Sequence, residues 1–442
     1  MNLRPFLLPL ALLPLACRSY SAAPLPAAAL QAQLAARDLR DPQLAKLIET
    51  RLGHPAPELW DADSLALAAQ HFGRLDQARA QLALARGEAV SAGELPNPTI
   101  SATPTHISSS PAHPWSWALS LDLPIDVVGK RSTAESAASH RLHAAERELV
   151  AAVWSLRCDL RKDLDGLATT SQKLALLRDE TAAREQLRIS LSARHAAGDI
   201  DAAPLRFAEQ SWLEASTRLR QTQSQLVDQR AALALRIGLS PQALAKVKLA
   251  GSSGKIADDG AFDPESSNVV AAARCRYDAA EEDLRLEVLK QYPDLHLLPG
   301  FTREDGQNKG SLGIALELPI FSRNGGAIAQ AEARRQAAAA VLIRTHDEVL
   351  SQVAAARRHL AEESRQCRLS EELLKSSLKR DAARLEIEKK SGALDRPEII
   401  AARLAMIALN QQLLEARARR LSAAAELESL LETPQIPAEA QP

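Results

Sequence analysis

The decapeptide SWALSLDLPI (116–125) recurs about 195 residues later as SLGIALELPI (311–320). In the first copy Trp115, Trp117, Leu119, Leu121 and Leu123 alternate with Ser116, Ala118, Ser120 and Asp122. In the second, Leu312, Ile314, Leu316 and Leu318 alternate with Ser311, Gly313, Ala315 and Glu317. A period of two puts each apolar set on one face of a strand. Asp122 and Glu317 each stand two residues before a proline, Pro124 or Pro319. The flanks match as well. LPNPTISATPT (95–105) is echoed by YPDLHLLPGFT (292–302), Gly129 by Gly325, and AAGDIDAAPLRFAEQ (196–210) by KSGALDRPEIIAARL (390–404). Self-similarity at one fixed offset predicts two copies of an ancestral unit.

Each unit reads helix, strand, short polar loop, strand, long helix, turn, helix. The loops SSSPAHP (108–114) and REDGQNK (303–309) make each strand pair a hairpin. Between Ser132 and His195 there is no proline and one glycine, Gly166. A helix of that length reaches roughly 90 Å. Leu142, Leu149 and Leu156 recur every seven residues, as do Val153, Leu160, Leu167 and Leu174, which is coiled-coil spacing. The corresponding helix of the second half is expected over about 327–390. Gly198 and Gly392 suit left-handed helix ends. Asp395, with Pro397 and Glu398 behind it, fits a capping box, and Asp199 or Asp201 is expected to cap the equivalent helix. Pro124 and Pro319 are expected to end strand pairing and redirect the chain into the helices.

Two isolated hairpins are not stable in water and need partners. A transmembrane barrel meets that need, because its strands alternate lipid-facing apolar residues with polar lumen residues between aromatic girdles. Trp115, Trp117, Tyr292, Phe301 and Phe321 lie in or beside the strands, in a chain with only 3% aromatics. On this reading Trp115, Trp117, Leu119, Leu121, Leu312, Ile314 and Leu316 face lipid. Ser116, Ser120, Asp122, Ser311 and Glu317 face the lumen. Bacterial barrels start at eight strands, so four per chain imply several chains. A soluble sheet with one buried face fits the same alternation.

The N-terminus MNLRPFLLPLALLPLACRSYSAAP has a basic residue, a short apolar run and small residues, the pattern of an export signal over 1–23. Two processing routes fit it: lipoprotein-type cleavage before Cys17, with acylation of that cysteine, or ordinary cleavage near Ser21–Ala23. An N-terminal segment (24–61) precedes a first unit over 62–250, with strands at about 98–107 and 115–123. A flexible connector (251–265) leads to a second unit over 266–434, with strands at about 294–302 and 311–318, and a tail (435–442). Beyond the signal no apolar run approaches the roughly 20 residues of a membrane helix. A formal charge of −1 gives no pointer to nucleic acid. Cys158, Cys275 and Cys367 are isolated and form neither a disulfide framework nor a CxxC site. The histidines are scattered, and GSSGKI (251–256) lacks phosphate-loop spacing. No enzyme activity, metal site or cofactor is expected.

Taken together, LPNPTISA, the paired LDLPI and LELPI strand ends, GKR at Gly129–Arg131 and the two glycine turns resemble the TolC family of outer-membrane efflux proteins, over nearly the whole mature chain. The tract of residues 60–98 is similar to the family's first long helix leading into the first strand, and DLPIDVVGKR to its CzcC-like heavy-metal subset. The resemblance implies a mainly α chain with a small β part. Two tandem units of long antiparallel coiled-coil helices, each with a hairpin, would build in a homotrimer a twelve-stranded outer-membrane barrel and a periplasmic helical tunnel. It implies a passive exit duct for heavy-metal cations that docks with a periplasmic adaptor (membrane fusion protein) and an inner-membrane pump of the resistance-nodulation-division (RND) type. Its periplasmic tip would lie at 196–204 and 390–398, with Asp199, Asp201, Asp395 and Arg396 as gate candidates. Drug efflux, type I secretion and an exported coiled-coil adaptor stand as alternatives.

Overall fold

The computed structural model describes residues 20–106, 108, 115–251, 262–304, 307–390 and 397–432, without the side chains of 378–398. The N-terminal part comprises α1 (Ala27–Ala36), α2 (Pro42–Leu52), β1 (Leu59–Trp60), α3 (Ala62–His71) and α4 (Asp76–Gly93). Next come β2 (Thr99–His106), β3 (Trp115–Ile125), α5 (Lys130–Ala196), α6 (Ala202–Ile237), α7 (Pro241–Leu244) and β4 (Lys248–Leu249). After a 3-10 turn at Pro264–Ser266 follow α8 (Asn268–Leu289), β5 (Leu295–Glu304), β6 (Gln307–Leu316), α9 (Gly325–Lys390) and α10 (Pro397–Leu431).

The two long helices are single rods of 67 and 66 residues, each about 100 Å long. Their length follows from composition, since alanine, leucine, arginine and glutamate lose little side-chain freedom in a helix. Leu160, Leu167 and Leu174, seven apart, are buried along α5. That helix is the spine of the molecule and packs against α3, α4, α6, α8 and α10. α9 packs against α8 and α10.

The largest apolar core gathers Leu44 and Ile48 of α2, Leu65 of α3, Leu160 and Leu164 of α5, and Leu233 and Ile237 of α6. Beside it, β1 and β4 pair in parallel, Leu59 with Lys248 and Trp60 with Leu249. This girdle therefore draws on both the N-terminal segment and the stretch after α6. A second core joins Val270, Val349, Val353, Leu427 and Leu431. A third, toward the far end of α5, joins Ala183 to Ile400 and Ile407 of α10.

β2, β3, β5 and β6 form one antiparallel sheet in that order. It is open, and β2 and β6 are its edges. β3 and β5 join the two hairpins. β6 begins at Gln307, four residues before the repeated alternation starts, and Glu304 pairs directly with Gln307. Most of the stretch 303–309, read above as a loop, is therefore strand. Asp-Gly at 305–306 is a sequence that suits a two-residue hairpin connection. Glu317 and Pro319 lie beyond the end of β6 at Leu316.

Pro124 does not end pairing as expected. β3 runs on to Ile125, with Pro124 opposite His296. Past Asp122, the partner of Thr99, β3 has only β5 beside it, so a residue without N–H is tolerated there. Pro299 acts inside the sheet instead: the β3–β5 pairing skips Leu121 and Asp122, the positions opposite Pro299 and Leu298.

Candidate functional site

Residues opposite one another across a pair of strands share a face. The register puts Leu121 opposite Ile100, Leu119 opposite Ala102 and Phe301, and Trp117 opposite Pro104 and Arg303. It puts Leu295, Leu297 and Pro299 opposite Leu316, Ile314 and Leu312. Thus Trp115, Trp117, Leu119, Leu121, Leu312, Ile314 and Leu316 share one face of the sheet, joined by Ile100 and Phe301. That face is open to its surroundings: Trp117 is 57% exposed, Leu312 70% and Ile314 68%. A contiguous apolar surface of this kind needs a lipid or protein cover. Trp115 and Trp117 stand at its hairpin end, and Tyr292 and Phe321, both exposed, lie beside the strands' other end.

The opposite face carries Thr99, Ser101, Thr103 and Thr105, then Ser116, Ser120 and Asp122, then His296, Gly300 and Thr302, then Lys309, Ser311 and Gly313. At its centre a Cβ on Gly300 would lie 2.6 Å from Ser311 Oγ, so the glycine lets that hydroxyl lie against the strand. Two polar pairs span this face. His296 Nδ1 meets Asp122 Oδ1 at 2.8 Å, and Lys309 Nζ donates to Glu304 Oε2 at 2.9 Å.

The turn from sheet to shaft is built by Asp126, one residue past β3. Its carboxylate accepts from the backbone N–H groups of Val128 (3.2 Å), Gly129 (2.9 Å), Lys130 (3.0 Å) and Arg131 (2.7 Å). Burial pushes this carboxyl up, but the four N–H donors outweigh it and hold it below its ordinary range. Gly129 is left-handed, with φ 82°. Lys130 Nζ donates to Tyr292 O (2.7 Å) and Asp294 Oδ1 (2.9 Å), and Arg131 to Gly93 O (3.1 Å). The GKR tract thus ties α5 to α4 and to the chain entering β5. In the second half the left-handed residue is Asn324 (φ 58°) rather than Gly325, and its amide donates to Glu287 O at 2.9 Å.

Two buried carboxylates bind the shaft together. Glu428 of α10 accepts from Arg157 at 2.8 Å and from Arg161, while Arg157 also donates to Asp63 of α3. Burial pushes the Arg157 guanidinium down, but Asp63 and Glu428 outweigh it and hold the charge. Arg157 also lies over the Trp154 ring, 4.9 Å from its centroid. Nearer the tip, Glu180 accepts from Arg184 (2.8 Å), Arg218 of α6 (2.7 Å) and Gln411 of α10 (2.9 Å). Burial raises this carboxyl, but Gln411 and Arg184 above all outweigh it and bring it below its ordinary range.

At the tip Gly198 is left-handed (φ 78°), and the Asp199 N–H donates to Arg194 O at 2.9 Å. Asp201 occupies the position before α6, yet its side chain makes no capping hydrogen bond, so the expected cap is absent. Asp395 and Arg396 lie outside the described residues, as does Cys17. Cys158 and Cys367 are buried, and burial pushes the Cys158 thiol up to about 11. Among the described residues no three His, Cys, Asp or Glu side chains converge on a metal site, and no helix is long and apolar enough to cross a membrane.

Asp126, Glu180, Glu428 and His296 were not singled out in the sequence. The sequence signal for Asp126 is an acid six residues before Ser132, where the long helix is expected to start. His296 stands two residues after Asp294 at an alternating position of the second strand set.

The family model for outer membrane efflux proteins matches residues 65–239 and 265–433. The cobalt-zinc-cadmium resistance protein CzcC of Cupriavidus metallidurans is 27% identical over 268 residues, which are 60% of this chain and 63% of CzcC. The outer membrane protein VceC of Vibrio cholerae has the same fold, with TM-score 0.70 and 23% identity over 84% of this chain and 96% of VceC. CusC, described in connection with transmembrane channel formation, superposes with TM-score 0.67 and 17% identity over 84% of this chain and 92% of CusC. The chain belongs to the outer membrane efflux protein family and is an outer-membrane protein that extends into the periplasm.

Proposed function

We propose that this member of the outer membrane efflux family is the passive exit duct of a tripartite system that exports heavy-metal cations. The open sheet carries the reading. It presents an exposed apolar face, a polar reverse and two unpaired edge strands, and edges of that kind are stabilised by closure with further strands. Three chains supply twelve strands, enough for a barrel. In that assembly the face with Trp117, Leu121 and Ile314 meets lipid, and the face with Ser116, Ser120, Asp122 and Ser311 lines the lumen. The rods α5 and α9, with α6 and α10, form the periplasmic tunnel. Its far end holds the gate, with Asp199, Asp201, Asp395 and Arg396 as contacts to neighbouring chains. Acylation of Cys17 would add an anchor.

The cargo follows from the similarity to CzcC, whose name records cobalt, zinc and cadmium resistance. A periplasmic adaptor and an RND-type pump then supply delivery and energy. Two measurements test this. The protein should migrate as a heat-dissociable trimer from outer-membrane fractions, and its deletion should sensitise cells to cobalt, zinc or cadmium. A periplasmic soluble monomer would overturn the duct. A deletion strain sensitive only to organic drugs would overturn the cargo.

A further inference from the structure

His296 belongs to β5 and Asp122 to β3, so their 2.8 Å contact bridges the two hairpins where the backbone pairing is interrupted. A carboxylate only accepts, so Nδ1 carries the proton and donates to it. In the neutral imidazole this contact fixes the tautomer and leaves the lone pair on Nε2. No hydrogen bond to Nε2 occurs among the described residues, and the imidazole is 35% exposed. A carboxylate behind a histidine is the arrangement that orients metal-ligating imidazoles and raises their basicity. On the same face the other charged side chains, Glu304 and Lys309, are paired with each other at 2.9 Å. Glu304 lies eight residues along β5, roughly 27 Å away. At the near end Lys130 is held by Asp294 and Tyr292.

We propose that His296 Nε2, oriented by Asp122, is a transient coordination point for borderline divalent cations such as Zn2+, Co2+ and Cd2+. It rests on the reading that this face lines a metal-exporting duct. Imidazole nitrogen favours these ions over Ca2+ and Mg2+, which take oxygen ligands. Each chain offers one nitrogen, and water fills the remaining positions. Closed structural zinc sites use four protein ligands, so a single nitrogen gives weak, quickly exchanging binding. A conduit requires that balance, since an ion must be attracted enough to enter and held loosely enough to leave.

The test is the potassium conductance of the purified full-length protein in planar bilayers, titrated with Zn2+ and separately with Ca2+. Zn2+ should reduce the conductance reversibly, and Ca2+ at equal concentration should not. His296→Gln keeps an amide donor for Asp122 but loses metal affinity, and its conductance, read relative to its own zinc-free level, should show no Zn2+ response. Asp122→Asn should raise the half-effective Zn2+ concentration about tenfold or more. A wild-type channel indifferent to Zn2+, or a His296→Gln channel that responds like wild type, would overturn the proposal. Resistance assays separate it from the cargo reading. Metal sensitivity of the deletion strain alongside a Zn2+-indifferent channel sinks the coordination point alone. A His296-dependent Zn2+ response with no metal phenotype on deletion sinks the cargo alone.

Discussion

Replacing Leu121 with arginine, against the neighbouring control Ser120→Arg, tests the two faces of the sheet at one depth. β3 spans 11 residues, about 33 Å along the strand. At a tilt of about 40° that gives roughly 25 Å of height, the thickness of a barrel's apolar band. Leu121 lies one residue from the strand's midpoint. Its cross-strand neighbour is Ile100, and Pro299 stands opposite on β5, so an arginine there has apolar company and no acceptor. The midplane cost is about 2–4 kcal/mol per chain, and three times that in a trimer. Ser120 points the other way, between Ser101 and Gly300, where an arginine meets small residues and extends into water. Semi-native electrophoresis of outer-membrane fractions reads the result. Leu121→Arg should lose most heat-dissociable trimer while Ser120→Arg retains it. Equal recovery of the two variants would refute the assignment of lipid and lumen faces.

Glu428→Ala should lower the thermal midpoint of the helical signal sharply. It removes the carboxylate shared by two largely buried guanidinium groups, at a cost of about 3–5 kcal/mol. Asp126→Ala should cost about 1 kcal/mol by removing a helix cap. Because the folded carboxyl lies below the ordinary 3.8, that contribution is complete above pH 3.8 and disappears as pH falls through the lower folded value. Stability curves of variant and wild type should therefore converge in acid, and a constant gap would refute the cap. Cys158 and Cys367 should resist maleimide in the native protein and react after denaturation, whereas half-buried Cys275 should react slowly without it.

Periodicity made the strands and rods legible because it is local: Trp115 to Leu123 and Leu160 to Leu174 announce their faces within a few residues. The pairing of β3 with β5 was not legible, since nothing near Leu119 specifies Phe301 as its partner. The Asp122–His296 bridge depends on that register and was missed with it. Glu428 reads in sequence as one acid among many on a helix rich in charge. Only the packing of α10 on α5 separates it from its solvated neighbours. Asp201 shows the converse: its residue type suits a cap, but the position alone does not create the hydrogen bond. Loop polarity misleads at 303–309, where strand pairing runs through charged residues as far as Glu304 and Gln307.

The seam between β3 and β5 has a consequence for the order of events during folding. About 170 residues, mostly helix, separate the two strands, so closing the seam carries the entropy cost of a long loop. Helices form from local contacts and come first, whereas pairing between distant strands is slow. The first hairpin therefore holds its tryptophans and leucines open until the second hairpin has formed beside it. Until that seam closes, the exposed apolar face is the part of the chain most open to wrong association.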